Sequence, residues 1–313
     1  MACACSAWRG DNMGKPFLYY IAAGIALVVC GCAHKDITGD ARPVVFVSIV
    51  PQKYFVDNIS GGLVQCLVMV PPGTNVHSYE PHPAQMSLLS KARAYFAIGL
   101  EFEGPWLPKF ASLSPGMRIV HTDSLVPKIA MEESPFPAGM GDHHSHGEGG
   151  LDPHIWLSPG LVKLQAVSIA RGLKEIDPVH SVEYGKNCET FLRSIDTLEQ
   201  QLRLILPCDA AATAHPKVFL VFHPTWGYFA RAFCLKQVAI EAEGKEPNPR
   251  LMKSILDTAR AYRIRTVFVQ PEFSRKIAEV IAHELGASVL DADALAYGWP
   301  TMLMTVAKRI AGL

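Results

Sequence analysis

The sequence predicts an α/β protein of two lobes, each a mostly parallel sheet flanked by helices, joined by one long rigid helix. Three observations carry this expectation. Short runs rich in β-branched and aromatic residues alternate with helical stretches over residues 43–122. The alternation returns over residues 217–312. Between the two series, residues 180–206 hold the longest helical period of the chain. Strands that alternate with helices form parallel sheets with helices on the faces.

In order, PVVFVSIV (43–50), LVQCLVMV (63–70), AYFAIG (94–99) and RIVHT (118–122) read as strands, with helical stretches around 83–92 and 105–112. Consecutive apolar residues without polar alternation mark strands buried on both faces. Residues 131–151, MEESPFPAGMGDHHSHGEGGL, break the pattern and read as a loop rich in Gly, Pro, Ser and His. A helix near 160–175 follows. Then Tyr184, Phe191, Ile195, Leu198, Leu202 and Ile205 recur at helical spacings between Asp177-Pro178 and Pro207. The second series has strands KVFLVF (217–222), VAIEA (238–242), TVFVQ (266–270) and ASVLD (287–291), with helices near 226–234, 249–262, 274–285 and 299–312. Self-similarity between the two series is not visible residue by residue.

These boundaries divide the chain into a signal and lipobox segment (1–32), a polar linker (33–42), an N-terminal lobe (43–179) with a His-rich loop (141–150), a connecting helix (180–206) and a C-terminal lobe (207–313). The signal rests on Lys15 followed by the apolar run 17–31 and a small-residue end. That run is shorter than the roughly 20 apolar residues of a membrane span. Val29-Cys30-Gly31-Cys32 resembles a bacterial lipobox, with Cys32 the expected lipid-anchored first residue and Cys30 the second candidate; a cleaved soluble form and a retained anchor are the alternatives, and each places the chain in the periplasm or on the outer face of the cytoplasmic membrane.

Composition excludes other classes. Hydrophobic residues are 49% of the chain and charged residues 19%, enough apolar material for packed cores. Lys+Arg and Asp+Glu are 29 each, so the basic excess of a nucleic-acid binder is absent. Neither HExxH nor GxSxG occurs, which argues against a zinc hydrolase or a serine esterase. Of the eight cysteines, Cys66, Cys188, Cys208 and Cys234 belong to the folded body, at spacings unlike a zinc finger. A Cys188–Cys208 bridge is disfavoured by the helix between them. Cys208 and Cys234 either pair or remain buried thiols.

Four residues in similar settings are candidate metal ligands. His77 lies in PPGTNVHSYEPHP, His154 in LDPHIWLSP, His223 in VFLVFHPTWGYFA, and Asp291 in SVLDADALAYGW. His223 and Asp291 follow apolar strands directly, and ligands of open α/β sheets bind beyond the carboxyl ends of strands. Three imidazoles and a carboxylate suit Zn²⁺.

HSYEPHP, DPHIWLSP, FHPTWGYFA followed by EGKEPNP, and the final LDADAL resemble, in order, the motifs of the cluster A-I (cluster 9) metal-binding solute-binding proteins of ATP-binding-cassette importers. AIGLEFEGPWL (97–107) also looks like a segment of that family, and the likeness spans residues 43–313. The resemblance implies two lobes joined by a rigid helix, metal held between them, and ligand roles for His77, His154, His223 and Asp291. The manganese-type members look to carry glutamate where this chain has His223, which points to the zinc type. DHHSHGEGG (142–150) resembles a short form of the family's His-rich loop and offers His143, His144 and His146 as accessory ligands. Asp293 and water compete with Asp291 for the fourth position. Glu103, Glu243 and Glu246 are expected to hold lobe geometry, Trp156 and Trp226 to pack the cleft, and His82 to sit either behind a ligand or at the surface. The implied partners are a permease and its ATPase, with the chain a monomer that delivers Zn²⁺. A surface adhesin or a zinc-storing lipoprotein is the alternative.

Overall fold

The computed structural model describes residues 42–131, 150–241 and 247–313. The signal segment with Cys32, the accessory histidines His143, His144 and His146, and Glu243 and Glu246 lie outside the described residues.

The first lobe begins with β1 (Val44–Val47), whose successive residues are buried because both faces of the strand are covered. The chain then turns directly into α1 (Val50–Ser60). The expected strand over 43–50 is therefore shorter, and its last residue starts a helix the apolar run concealed. Pro51 fits the first turn, where its missing N–H costs nothing. The Gln52 Oε1 accepts from the N–H groups of Ser48 (3.0 Å) and Ile49 (3.2 Å). Phe55, Val56 and Ile59 bury one helical face. Gly61 ends the helix in the left-handed region at φ +58°. There follow β2 (Gln65–Val68), α2 (Pro83–Leu89), β3 (Ala94–Ala97), α3 (Glu103–Leu113) and β4 (Arg118–His121).

A 3₁₀ turn (Ile155–Leu157) leads into α4 (Pro159–Ile176), and α5 (Ser181–Ile205) is the long helix expected from the periodicity. Its buried residues are Tyr184, Cys188, Phe191, Ile195, Leu198 and Leu202. The second lobe comprises α6 (Ala210–Ala214), β5 (Lys217–Val221), α7 (Gly227–Ala232), β6 (Leu235–Ala239), α8 (Pro249–Ala261), β7 (Thr266–Val269), α9 (Arg275–Leu285), β8 (Ser288–Asp291) and α10 (Trp299–Ala311). The Asn248 side chain caps α8 by accepting from the Leu251 N–H at 2.9 Å.

The two sheets share one topology. The first has order β2-β1-β3-β4 and the second β6-β5-β7-β8, and every pairing in both is parallel. In such an order the connections from the first and third strands leave in opposite directions, opening a crevice at their carboxyl ends. The first sheet, α1, α4, α5 and α10 form one core with one face of the second sheet (Phe219, Val221, Ala239, Phe268). The opposite face (Leu220, Val238, Val267, Val269) packs with Ile255, Ala259, Ala278 and Ile281 of α8 and α9 in a second core. The last helix reaches back to the first lobe: the Trp299 ring lies edge-on to Phe55 at 5.3 Å, and its Nε1–H donates to the Trp156 carbonyl at 2.7 Å. Cys208 and Cys234 form a disulfide, while Cys66 and Cys188 are buried thiols. Among the described residues no helix is long and apolar enough to cross a membrane.

Candidate metal site

Three loops bring three imidazoles together. His77 lies after β2, and its N–H donates to the Asn75 side chain at 2.9 Å. His154 opens the 3₁₀ turn before α4 and is 1% exposed. His223 follows β5, its carbonyl accepting from the Gln270 amide at 3.0 Å. The Phe273 ring stacks on His223 at 5.1 Å and 24°, which fixes the plane of that imidazole. One ring nitrogen from each histidine lies within 4.8 Å of the others, and among the described residues no other set of three His, Cys, Asp or Glu side chains gathers this way.

Each ring is held from behind by a carboxylate. His77 Nδ1 lies 3.0 Å from Glu101 Oε2, His154 Nδ1 lies 2.7 Å from Asp152 Oδ1, and His223 Nδ1 bonds to Glu241. An ionised carboxylate only accepts, so each Nδ1 donates to its carboxylate and each Nε2 is left facing the cleft. Asp152 Oδ1 also accepts from the His154 N–H at 2.8 Å, which locks ring and backbone to one oxygen. The Nε2 atoms of His77 and His223 face each other at 3.1 Å. Tetrahedral zinc with nitrogen at about 2.0–2.1 Å sets its ligand nitrogens roughly 3.3 Å apart.

Electrostatics keep this nitrogen face available. Burial pushes the His223 imidazole down to about 4, against the upward pull of Glu241 and with help from the charges of His154 and His77. Burial works against the Glu101 charge, yet the hydrogen bond and charge of His77 hold that carboxyl down at about 2. Glu101 is itself placed by a buried network. Glu103 takes the N–H groups of Ile98 (3.0 Å) and Gly99 (2.7 Å) and the Ser48 hydroxyl, and so shapes the loop that carries Glu101. Gly99 sits at φ +86°, and a Cβ there would strike the Asp123–Lys128 ion pair. Gly227 is equally constrained, because a Cβ would come within 2.8 Å of Asp152 Oδ2.

The structure does not bring Asp291 into this group. It ends β8, the edge strand of its sheet, its side chain is 69% exposed, and it pairs with Arg275. Glu103 holds lobe geometry, as expected. Trp156 lines the cleft, its ring 5.2 Å from His154, whereas Trp226 is buried in the core against Phe229 and lies outside the cleft lining. His82 is exposed ahead of α2. Glu101, Asp152 and Glu241 were not anticipated. Of the three, only Asp152, two residues before its histidine, carries a local signal in the sequence.

Two parallel-sheet lobes with three backed imidazoles between them fit the class of metal-binding solute-binding proteins. Residues 45–311 match the family model of the zinc-uptake complex component A, periplasmic, and the chain belongs to that family. The solved structure "Crystal structure of ZnuA" superposes with a TM-score of 0.77 at 40% identity, covering 87% of this chain and 98% of that one. A putative metal-binding protein of Treponema pallidum is 27% identical over 275 residues, 85% of either chain. The high-affinity zinc uptake system protein ZnuA of Bacillus subtilis is 24% identical over 286 residues, 86% of this chain and 85% of that one. The family is one of extracytoplasmic solute-binding components of ATP-binding-cassette importers.

Proposed function

We propose that this chain captures Zn²⁺ outside the cytoplasm and hands it to a permease, with His77, His154 and His223 as the nitrogen ligands. The observation that supports this best is the convergence of three imidazoles, each with a carboxylate on its Nδ1. Such carboxylate–histidine pairs set the tautomer and raise ligand basicity in metal sites. Imidazole nitrogen favours zinc over manganese, which prefers oxygen.

His77 and His154 come from the first lobe and His223 from the second, so a bound ion bridges the lobes and favours one arrangement of them. That arrangement is the signal a permease would read. Lipidation at Cys32 would keep the monomer beside its permease, and His143, His144 and His146 would collect zinc at lower affinity. The test is a competition titration of metal-stripped chain (residues 33–313) with Zn²⁺ and Mn²⁺, wild type against His223→Ala. One tight zinc equivalent, weakened more than about a hundredfold by the substitution, is expected. Equal affinity of the two proteins would refute the triad as the seat of the metal.

A further inference from the structure

The segment that carries His154 is held by a side chain of the second lobe. Residues 129–131 and 150–152 pair antiparallel around the bridge between Ala130 and Leu151. The Met131 N–H donates to the Gly150 carbonyl at 3.0 Å, and the Asp152 N–H donates to the Ile129 carbonyl at 2.8 Å. In a regular antiparallel ladder Ile129 and Asp152 would exchange two such bonds directly. Here the second bond is relayed. The Tyr228 hydroxyl accepts from the Ile129 N–H at 3.1 Å and donates to the Asp152 carbonyl at 2.9 Å. A residue of α7 is thus wedged into a pair of first-lobe residues, two positions before His154.

That pair matters because of what Asp152 does. Its Oδ1 takes both the ring Nδ1–H and the backbone N–H of His154. Its other oxygen, Oδ2, is buried and has no hydrogen-bond donor among the described residues. Apart from His154 itself, no donor fixes the carboxylate, so its place follows from the Asp152 backbone. Tyr228 holds that backbone, and Gly227 beside it leaves the room that Oδ2 occupies. Tyr228 and Asp152 are both buried, where a hydrogen bond left unmade is costly. The Trp226 N–H, two residues earlier, is tied to Gln237 at 3.0 Å. One stretch of the second lobe, residues 223–228, therefore carries one candidate ligand and fixes the backing of another.

We propose that Tyr228 is a positioning residue for metal capture: its hydroxyl, set between the Ile129 N–H and the Asp152 carbonyl, places the Asp152 carboxylate behind His154 and so registers that imidazole against His223. The proposal rests on the reading of the triad as the metal's seat. Without the hydroxyl, the Ile129 N–H and the Asp152 carbonyl either stay unpaired or bond to each other directly, as in a regular ladder. Closing the pair moves the Asp152 backbone, and the carboxylate moves with it, out of register with His154. Groups that orient a ligand from behind govern metal affinity without touching the metal.

The test uses the metal-stripped chain (residues 33–313), which carries every described residue. It compares wild type with Tyr228→Phe, Asp152→Asn, the double substitution and His223→Ala. Zn²⁺ affinity is measured by competition, the visible absorption of the Co²⁺-loaded protein reports ligand geometry, and thermal melting follows the metal-free fold. Tyr228→Phe is expected to weaken Zn²⁺ about three- to tenfold, less than the loss of a group bonded to a ligand ring, and to shift the Co²⁺ bands. In the Asp152→Asn background the same substitution is expected to change Zn²⁺ affinity less than about twofold, because residues that act through one another are not additive. A lowered Tm in Tyr228→Phe with wild-type Zn²⁺ affinity and Co²⁺ bands would assign the hydroxyl to the fold alone and overturn the proposal. Equal losses with and without Asp152→Asn would also overturn it, since Tyr228 would then act by a route that bypasses Asp152. Wild-type affinity in His223→Ala would refute the triad itself, and the positioning role with it.

Discussion

The two lobes have the same strand order and differ in how they are held. The first sheet shares its core with α1, α4, α5 and α10, and its two cysteines are free and buried. The second sheet gives one face to that core and the other to a smaller one under α8 and α9, and it is tied by the Cys208–Cys234 disulfide. The candidate ligands follow the same asymmetry. The broadly packed lobe holds two of the three histidines, and the lobe with the smaller private core brings one. Topology therefore sets where a metal can sit, while the amount of packing behind each loop sets how firmly each ligand is presented.

The largest effect that can break this comparison is on the second lobe. Replacing Cys208 and Cys234 with serine opens a closure of 26 residues and is expected to cost about 2–4 kcal/mol of stability. Chemical denaturation should show this loss with zinc still bound tightly at low denaturant. A loss below about 0.5 kcal/mol would mean that the second lobe's packing suffices without the bridge.

Next come the carboxylates behind the ligands. Asp152 is buried and holds both the ring and the N–H of His154, whereas the Glu101 side chain is 46% exposed. Asp152→Asn should weaken zinc near the upper end of the roughly 10–100-fold expected for such partners, and Glu101→Gln near the lower end. Calorimetric titration of both variants checks the order, and a reversed order would mean that burial of the carboxylate does not set how firmly its histidine is held.

The smallest effect is on pH. Burial holds the folded His223 at about 4, below the ordinary histidine value. Between about 6.5 and 4 the unfolded chain therefore binds a proton that the folded metal-free protein does not, and stability falls as pH falls through that window. The slope is on the order of 1 kcal/mol per pH unit from this residue. Denaturation of metal-free wild type and His223→Gln at pH 7, 6 and 5 should show a shallower decline in the variant. Parallel declines would assign the pH dependence to other groups.

The sequence made the strands and the long helix legible because buried parallel strands are continuous apolar runs and α5 has a clear amphipathic period. α1 was hidden because its first residue completes an apolar run that reads as strand. β6 lies at 235–239 where VAIEA suggested 238–242, since Gln237, a polar residue, is buried there with its amide oxygen on the Trp226 N–H. Asp291 and His223 read alike in the sequence, each at the end of an apolar strand, but β8 is the edge of its sheet and β5 is central. The residues behind the ligands were the least legible. Glu101 and Glu241 reach their histidines across 24 and 18 residues, and only the folded loops reveal those pairs.

The most direct test of the central claim is X-ray absorption at the zinc edge on protein loaded with one equivalent, with and without residues 142–150. Three imidazole nitrogens at about 2.0–2.1 Å in both samples are expected. A spectrum with fewer imidazoles, or one whose imidazoles vanish on deletion of the His-rich segment, would contradict a metal held by His77, His154 and His223.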